Sequence, residues 1–298
     1  VTGSSTLKRQ GSGGFKEIDD VAIAAPLTKY SASITDGERI REFVDRAYKI
    51  ALSGYPGPVH LSVPVDIMFS SFPVDAQLDE RPFDHNPRSA PRAWPCPDDL
   101  QEVIDLLLAS ERPLLIGGHG VWWSGAERKL EQVGISLAIP VYNIPYHQKL
   151  LPEASKAYMG LADVHQYGPA EAALEEADVV IMIGGRLDNQ MNFGNAPLFP
   201  PSCKLICVNG SAEETELNRA ADKVLLSDPG AFLNALLDLK EKGRWQRGDD
   251  WINAQRTRRG EWVVQTLADM DNDLTPGQGV HPLQLALDVQ SAMGPKDW

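Results

Sequence analysis

Cysteine is scarce in this 298-residue chain. The three present, Cys96, Cys203 and Cys207, include no CxxC pair. An odd count without paired spacing argues against a disulfide framework and against a standard zinc site, and it suits a reducing compartment. Positive charge is also in deficit. The net charge of −13 argues against nucleic acid or an anionic membrane as the main partner. No run approaches the roughly 18 apolar residues of a membrane span. The opening VTGSSTLKRQ holds no apolar core of a secretory leader. A cytoplasmic protein is therefore expected, and the missing initiator Met marks an expected piece of a longer protein. Familiar catalytic strings are missing too. The six histidines fall in no HxxxH or HExxH spacing, and there is no GxSxG elbow. The pairs Glu175/Glu176 and Glu213/Glu214 read as solvated helix faces. No self-sufficient catalytic set emerges.

What is present is alternation. Residues 1–20 read as a loop. Over 36–53, Ile40, Phe43, Val44, Ala47, Ile50 and Ala51 recur at three and four, which predicts a helix capped by Asp36 and stopped at Gly54. A strand follows at Val59–Val63. Residues 73–97 are dense in proline and charge, and proline disfavours helix interiors and sheet ladders. That stretch is expected to be a linker. Beyond it, helices are expected at 98–110, 125–138, 169–177, 211–219 and 230–242. Strands are expected at Leu114–Ile116, Val141–Ile144, Val179–Ile183, Leu205–Val208 and Val224–Leu226. Such alternation predicts an α/β fold, a Rossmann-like parallel sheet with helices on both faces. Residues 244–270 read as helical with exposed Trp245, Trp251 and Trp262, and another helix begins near His281.

Two glycine turns stand at strand ends. The first is Gly117–Gly118–His119–Gly120, and the second is Gly184–Gly185 followed by Arg186 and Asp188. Glycine lets a backbone approach a ligand, and the amides at the next helix start favour phosphate. Arg186 offers a planar fork to phosphate and Asp188 an acceptor to a ribose hydroxyl. The first turn is GGHG, not GxGxxG, and no acidic residue ends the next strand, so the dinucleotide fingerprint fails. Arg186 and Asp188 can equally pair with each other or cap a loop.

The segments VTGSSTLKRQGSGGFKEID, PLTKYSASITDGERIREFVDRAYKIALSGYPGPVHLSVPVDI, RPLLIGGHGVWWSGAERKLEQVGISLAIPVYN, EEADVVIMIGGRLD and KLICVNGSAEETELNRAADKVLLSD resemble thiamine-diphosphate-dependent enzymes of the acetolactate synthase and 2-hydroxyacyl-CoA lyase type. The resemblance implies five parts. Residues 1–72 are the end of a pyrimidine-binding domain, 73–97 a linker and 98–243 a central Rossmann-like domain. Residues 244–280 are a connecting helical segment, and 281–298 the start of a diphosphate-binding domain. It implies a transferase or lyase acting on a 2-oxo acid or acyl-CoA, with thiamine diphosphate and Mg2+, in a homodimer or homotetramer. The cofactor glutamate is expected upstream of residue 1 and the GDG motif downstream of residue 298. Phe15, Lys16 and Glu17 match the family's F-Q-E stretch at the substrate entrance, with Lys16 in place of glutamine. The central domain in this family holds FAD, ADP or nothing. Gly117, Gly118, His119, Gly184, Arg186, Asp188 and Asn209 are the candidate cofactor-binding set. Departures stand at Tyr55, Val65, Gln190 and Asn209, where the nucleotide-binding version has arginine, lysine, arginine and aspartate. A non-catalytic nucleotide-binding or scaffolding module is the alternative.

Overall fold

The computed structural model describes residues 1–73, 92–144, 150–163, 168–273 and 279–293. Most of the expected linker, together with Pro145, His147 and residues 164–167 of DVHQYG, lies outside the described residues. Two parallel sheets organise the rest. The smaller is built from β1 (Thr2–Ser4), β2 (Tyr30–Ser33) and β3 (Val59–Pro64), in the order β1-β3-β2. With them run α1 (Asp20–Ala24), α2 (Ile40–Leu52) and α3 (Val65–Met68). Asp36 accepts from the Glu38 amide and caps the 3-10 turn Gly37–Arg39 that leads into α2. Gly54, at φ +56°, turns the chain away after the helix.

The larger sheet contains β4 (Pro113–Gly117), β5 (Val141–Asn143), β6 (Tyr158–Leu161), β7 (Val179–Ile183), β8 (Lys204–Asn209) and β9 (Lys223–Leu226). All its pairings are parallel, in the order β6-β5-β4-β7-β8-β9. Strand order therefore reverses between β4 and β7, the place where doubly wound sheets form a crevice. Alternation along each strand sorts side chains to two faces. Leu115, Ile181, Ile183, Ile206 and Val208 pack into one buried layer. There they meet α4 (Pro97–Ala109), α6 (Glu127–Ser136) and α8 (Pro229–Glu241). Leu114, Ile116, Val180, Met182, Leu205 and Cys207 enter the other layer, against α7 (Pro169–Glu176) and Ile252 of α9 (Asp250–Asp273). Both faces are covered, as the near-continuous apolar runs of these strands require.

Several expectations change. Residues 1–20 include β1, which is too short and too polar for periodicity to reveal. The expected helix at 211–219 is only the turn Ala212–Glu214. Glu216 takes φ +54°, Asn218 donates to the Leu187 carbonyl, and Arg219 donates to the carbonyls of Gly194, Phe199 and Cys203. Those tertiary bonds outweigh the segment's helix propensity. The expected helix at 125–138 is α6, and a short helix that was not expected, α5 (His119–Ser124), precedes it, ended by Gly125 in the left-handed region. Strand β6 was not expected. Among the described residues no helix is long and apolar enough to cross a membrane.

The tryptophans of 244–270 are also reassigned. Trp245 is 4% exposed, and its indole N–H donates to the Leu137 carbonyl at 2.9 Å. Trp251 is half-buried and donates to Pro113 at 2.9 Å. Both polar edges reach carbonyls at the amino-terminal end of the sheet, so the rings can be buried at little cost. Trp262 is exposed as expected. Trp245→Ala is predicted to destabilise the chain by about 3–5 kcal/mol, read as a lower urea midpoint at an unchanged slope.

Candidate functional site

The two glycine turns face each other across the reversal between β4 and β7. Gly117 ends β4, and Gly184 and Gly185 follow β7. The Gly118 amide donates to the Ile183 carbonyl at 2.8 Å, and the Gly120 amide donates to Gly184 at 2.8 Å. Side chains are impossible at this contact. A Cβ on Gly118 would lie 2.5 Å from the Gly184 oxygen, and one on Gly120 would lie 2.7 Å from the Gly184 Cα. Gly184 itself is at φ +65°, a region that glycine enters freely. These glycines therefore serve a backbone-to-backbone contact. Two amides at the start of α5, the kind that would receive a phosphate, are already satisfied by protein carbonyls.

The remaining rim candidates come together at the ends of β7 and β8. Arg186 does not pair with Asp188. Its guanidinium lies 3.5 Å from Glu214 Oε2, at the turn after β8. Asp188 accepts from the Gln190 amide at 3.1 Å and caps the turn that follows. Asn209 accepts from the Ser211 amide at 3.1 Å, and its side-chain N–H2 lies 3.4 Å from the Gly185 carbonyl. His119 is half-buried beside the rings of Trp122 and Trp123, at 5.5 and 5.8 Å between centroids, and burial pushes its imidazole pKa down. The side-chain amide of Asn143, at the end of β5, is buried without a partner among the described residues. It stands in register with Gly117, on the same side as Leu130 and Leu150.

Phe15, Lys16 and Glu17 belong to a different element, the loop between β1 and α1. Glu17 shapes that loop. Its carboxylate accepts from the amides of Gly11 and Gly14, and these bonds hold its pKa below the usual range. Lys16 takes φ +60°, and its ammonium lies 5.6 Å from the centroid of the Phe15 ring, which is 88% exposed. This part of the loop thus presents the Phe15 ring and the Lys16 ammonium outward. Cys203 and Cys207 are buried free thiols, pushed up to about 11 by burial. Among the described residues no group of three His, Cys, Asp or Glu side chains is placed to hold a metal.

Sequence reasoning missed a polar cluster under α1, where His60, Ser62, Thr2, Ser31 and Asp20 meet. The available signal was V-H-L-S in β3, where His60 and Ser62 alternate with apolar neighbours and so share a face.

Comparison with known proteins agrees with this geometry. Residues 100–236 match the family described as thiamine pyrophosphate enzyme, central domain. A probable acetolactate synthase large subunit of Methanocaldococcus jannaschii is 30% identical over 256 residues, covering 82% of this chain and 42% of that protein. A 2-hydroxyacyl-CoA lyase of Arabidopsis thaliana is 28% identical over 225 residues, covering 74% and 37%. A crystal structure of benzoylformate decarboxylase from Polynucleobacter necessarius shares the fold, with a TM-score of 0.67 at 24% identity, over 83% of this chain and 44% of that one. The chain spans less than half the length of each of these relatives.

Gly118→Ala is predicted to cost about 1–3 kcal/mol or more through overpacking. Gly248→Ala, where an added Cβ meets nothing within 4 Å, should stay within about 0.5 kcal/mol of the parent. Paired thermal melts of the two variants check the contrast.

Proposed function

Residues 100–236 are the central domain of a thiamine pyrophosphate enzyme, and on that premise we propose that the chain works as part of a thiamine-diphosphate-dependent enzyme acting on 2-oxo acids or 2-hydroxyacyl compounds. The observation that carries this is the family match across the reversed parallel sheet, supported by similarity to proteins named acetolactate synthase and 2-hydroxyacyl-CoA lyase. The reaction is decarboxylation with carboligation, or cleavage of a carbon–carbon bond beside a carbonyl. The cofactor supplies that chemistry when bound, and protein groups bind and orient.

The residues present do not fit thiamine diphosphate and its magnesium ion. The sequence holds no GDG string, the nearest being RGDDW at 247–251. No step of the reaction is therefore assigned to these residues. Their contribution, in this reading, is a rigid middle layer and the Phe15–Glu17 loop, in an enzyme that assembles as a homodimer or homotetramer.

FAD and ADP fit the central crevice poorly. Both ligands carry a diphosphate. The two amides nearest the glycine turn are spent on carbonyls, and Arg186 faces Glu214. Asp188 and Asn209 hold backbone amides of their own turns. Gln190 stands where a second cation would help. The crevice is read as filled by its own groups.

Lys16 is assigned to the substrate. An exposed ammonium beside an aromatic ring suits the carboxylate of a 2-oxo acid or the phosphates of an acyl-CoA. In the complete enzyme, Lys16→Gln should raise KM for an anionic substrate about tenfold, the worth of roughly 1.4 kcal/mol, with kcat little changed. An unchanged KM would remove the assignment.

A further inference from the structure

The excursion between β1 and α1 includes the run Gly11–Ser12–Gly13–Gly14–Phe15–Lys16–Glu17. Its last four residues form one turn. The Glu17 amide donates to the Gly14 carbonyl at 3.0 Å. That bond makes Phe15 and Lys16 the two corner residues of the turn. Lys16 takes the second corner at φ +60°. Glycine enters that conformation freely, and a residue with a Cβ does not. The sequence places its glycines at 11, 13 and 14 instead, and leaves a lysine at the strained corner.

The Glu17 side chain holds this shape by folding back over the turn. Its Oε2 accepts from the Gly14 amide at 2.7 Å, and its Oε1 accepts from the Gly11 amide. Gly14 and Glu17 are thus joined twice, once through the backbone and once through the carboxylate. Gly11 and Gly13 take φ +87° and +70°. Left-handed residues between ordinary ones turn successive amides to one side and make a concavity for an anion. Here the anion is the Glu17 carboxylate. The amides of Gly11 and Gly14, and after them those of Gly13 and Ser12, hold its carboxyl below the usual range. A glutamine could not do the same, because its NH2 half would face an N–H where an oxygen now accepts.

We propose that Glu17 is the positioning residue of the substrate entrance: its carboxylate, clamped on the Gly11 and Gly14 amides, holds Lys16 at its strained corner and fixes where the ammonium meets an anionic substrate. The Phe15 ring stands at the other corner, with the Lys16 ammonium 5.6 Å from its centroid. A lysine on a loose loop loses backbone freedom when it meets a carboxylate or a phosphate, and that loss weakens binding. Held in advance, Lys16 avoids it. Glu17 works through Lys16.

The proposal rests on the reading of Phe15–Glu17 as substrate-facing, and the experiment separates the two. The clamp is read in the 298-residue chain, without turnover. A carboxyl whose pKa is lowered by folding keeps its bonds above the ordinary range and loses them as pH falls through the lowered value. By NMR, the Gly11 and Gly14 amide protons should titrate together, at a midpoint below that of an ordinary glutamate. This measurement needs no variant. Separate midpoints, or a shared one at the ordinary value, would overturn the clamp. Trypsin cleavage after Lys16, relative to cleavage after the exposed Lys242, should rise several-fold in Glu17→Gln. An unchanged ratio would also overturn it.

The positioning role is read in the complete enzyme. Glu17→Gln should raise KM for an anionic substrate several-fold, with kcat little changed. On a Lys16→Gln background it should add nothing further, since the two residues act as one unit. An unchanged KM in the single variant, or a full further rise on that background, would overturn the role. If Lys16→Gln alone still raises KM, the substrate-facing reading survives without the clamp. If neither variant moves KM, both readings fail together.

Discussion

Where the six-stranded sheet reverses its order, two turns of backbone touch with no side chain between them. Gly118 and Gly120 on one side meet Gly184 and Gly185 on the other, joined by two amide-to-carbonyl bonds. The contact sits between the two central strands, each buried on both faces. Pushing those turns apart would move β4 against β7 and disturb both apolar layers at once. It also fixes what the rim can offer. A crevice of this kind would ordinarily present free amides to a ligand. Here the Gly118 and Gly120 amides are occupied, Arg186 lies beside Glu214, and Asp188 and Asn209 accept from the Gln190 and Ser211 amides.

The other boundaries of the sheet are secured by different means. At the amino-terminal ends of the strands, the indoles of Trp245 and Trp251 and the guanidinium of Arg247 take the carbonyls of Leu137, Pro113 and Ser110. Strand β6 is an exposed edge in principle, and such edges invite unwanted pairing. Helix α9 covers it. Arg256 donates to the Lys156 carbonyl, and Arg259 donates to Tyr158 while lying over its ring. Rigid ends and a closed centre suit a layer whose work is to hold neighbouring parts in place. The loop of Phe15–Glu17 lies outside that layer, with the Phe15 ring exposed.

How far the sequence reveals this depends on how local each cause is. The strands of the large sheet were legible because burial on both faces demands runs such as VVIMI and KLICV. The amphipathic spacing of α2 was equally legible. Strand β6 was not. Its four residues, YMGL, carry no period, and it exists because β5 and α9 lie on either side. The segment 211–219 has helical composition, but Asn218 and Arg219 find partners twenty or so residues away, which no local rule anticipates. The glycine turns were visible as glycines. Their meaning was not, because it depends on two segments some 65 residues apart meeting at the strand reversal. The pairing of Arg186 with Glu214 rather than Asp188 is hidden for the same reason. His60 looked like a lone histidine until the register of β1 and β2 placed hydroxyls at both of its nitrogens.

The account rests most heavily on the closed contact between the glycine turns. Amide hydrogen exchange at Gly118 and Gly120, followed with and without added ADP, examines it directly. Both amides should exchange as slowly as the core strands, and ADP should leave them unchanged. Rapid exchange in the free chain, or protection that appears only when ADP is present, would mean that those amides are open to a ligand and that the crevice is not filled by its own groups.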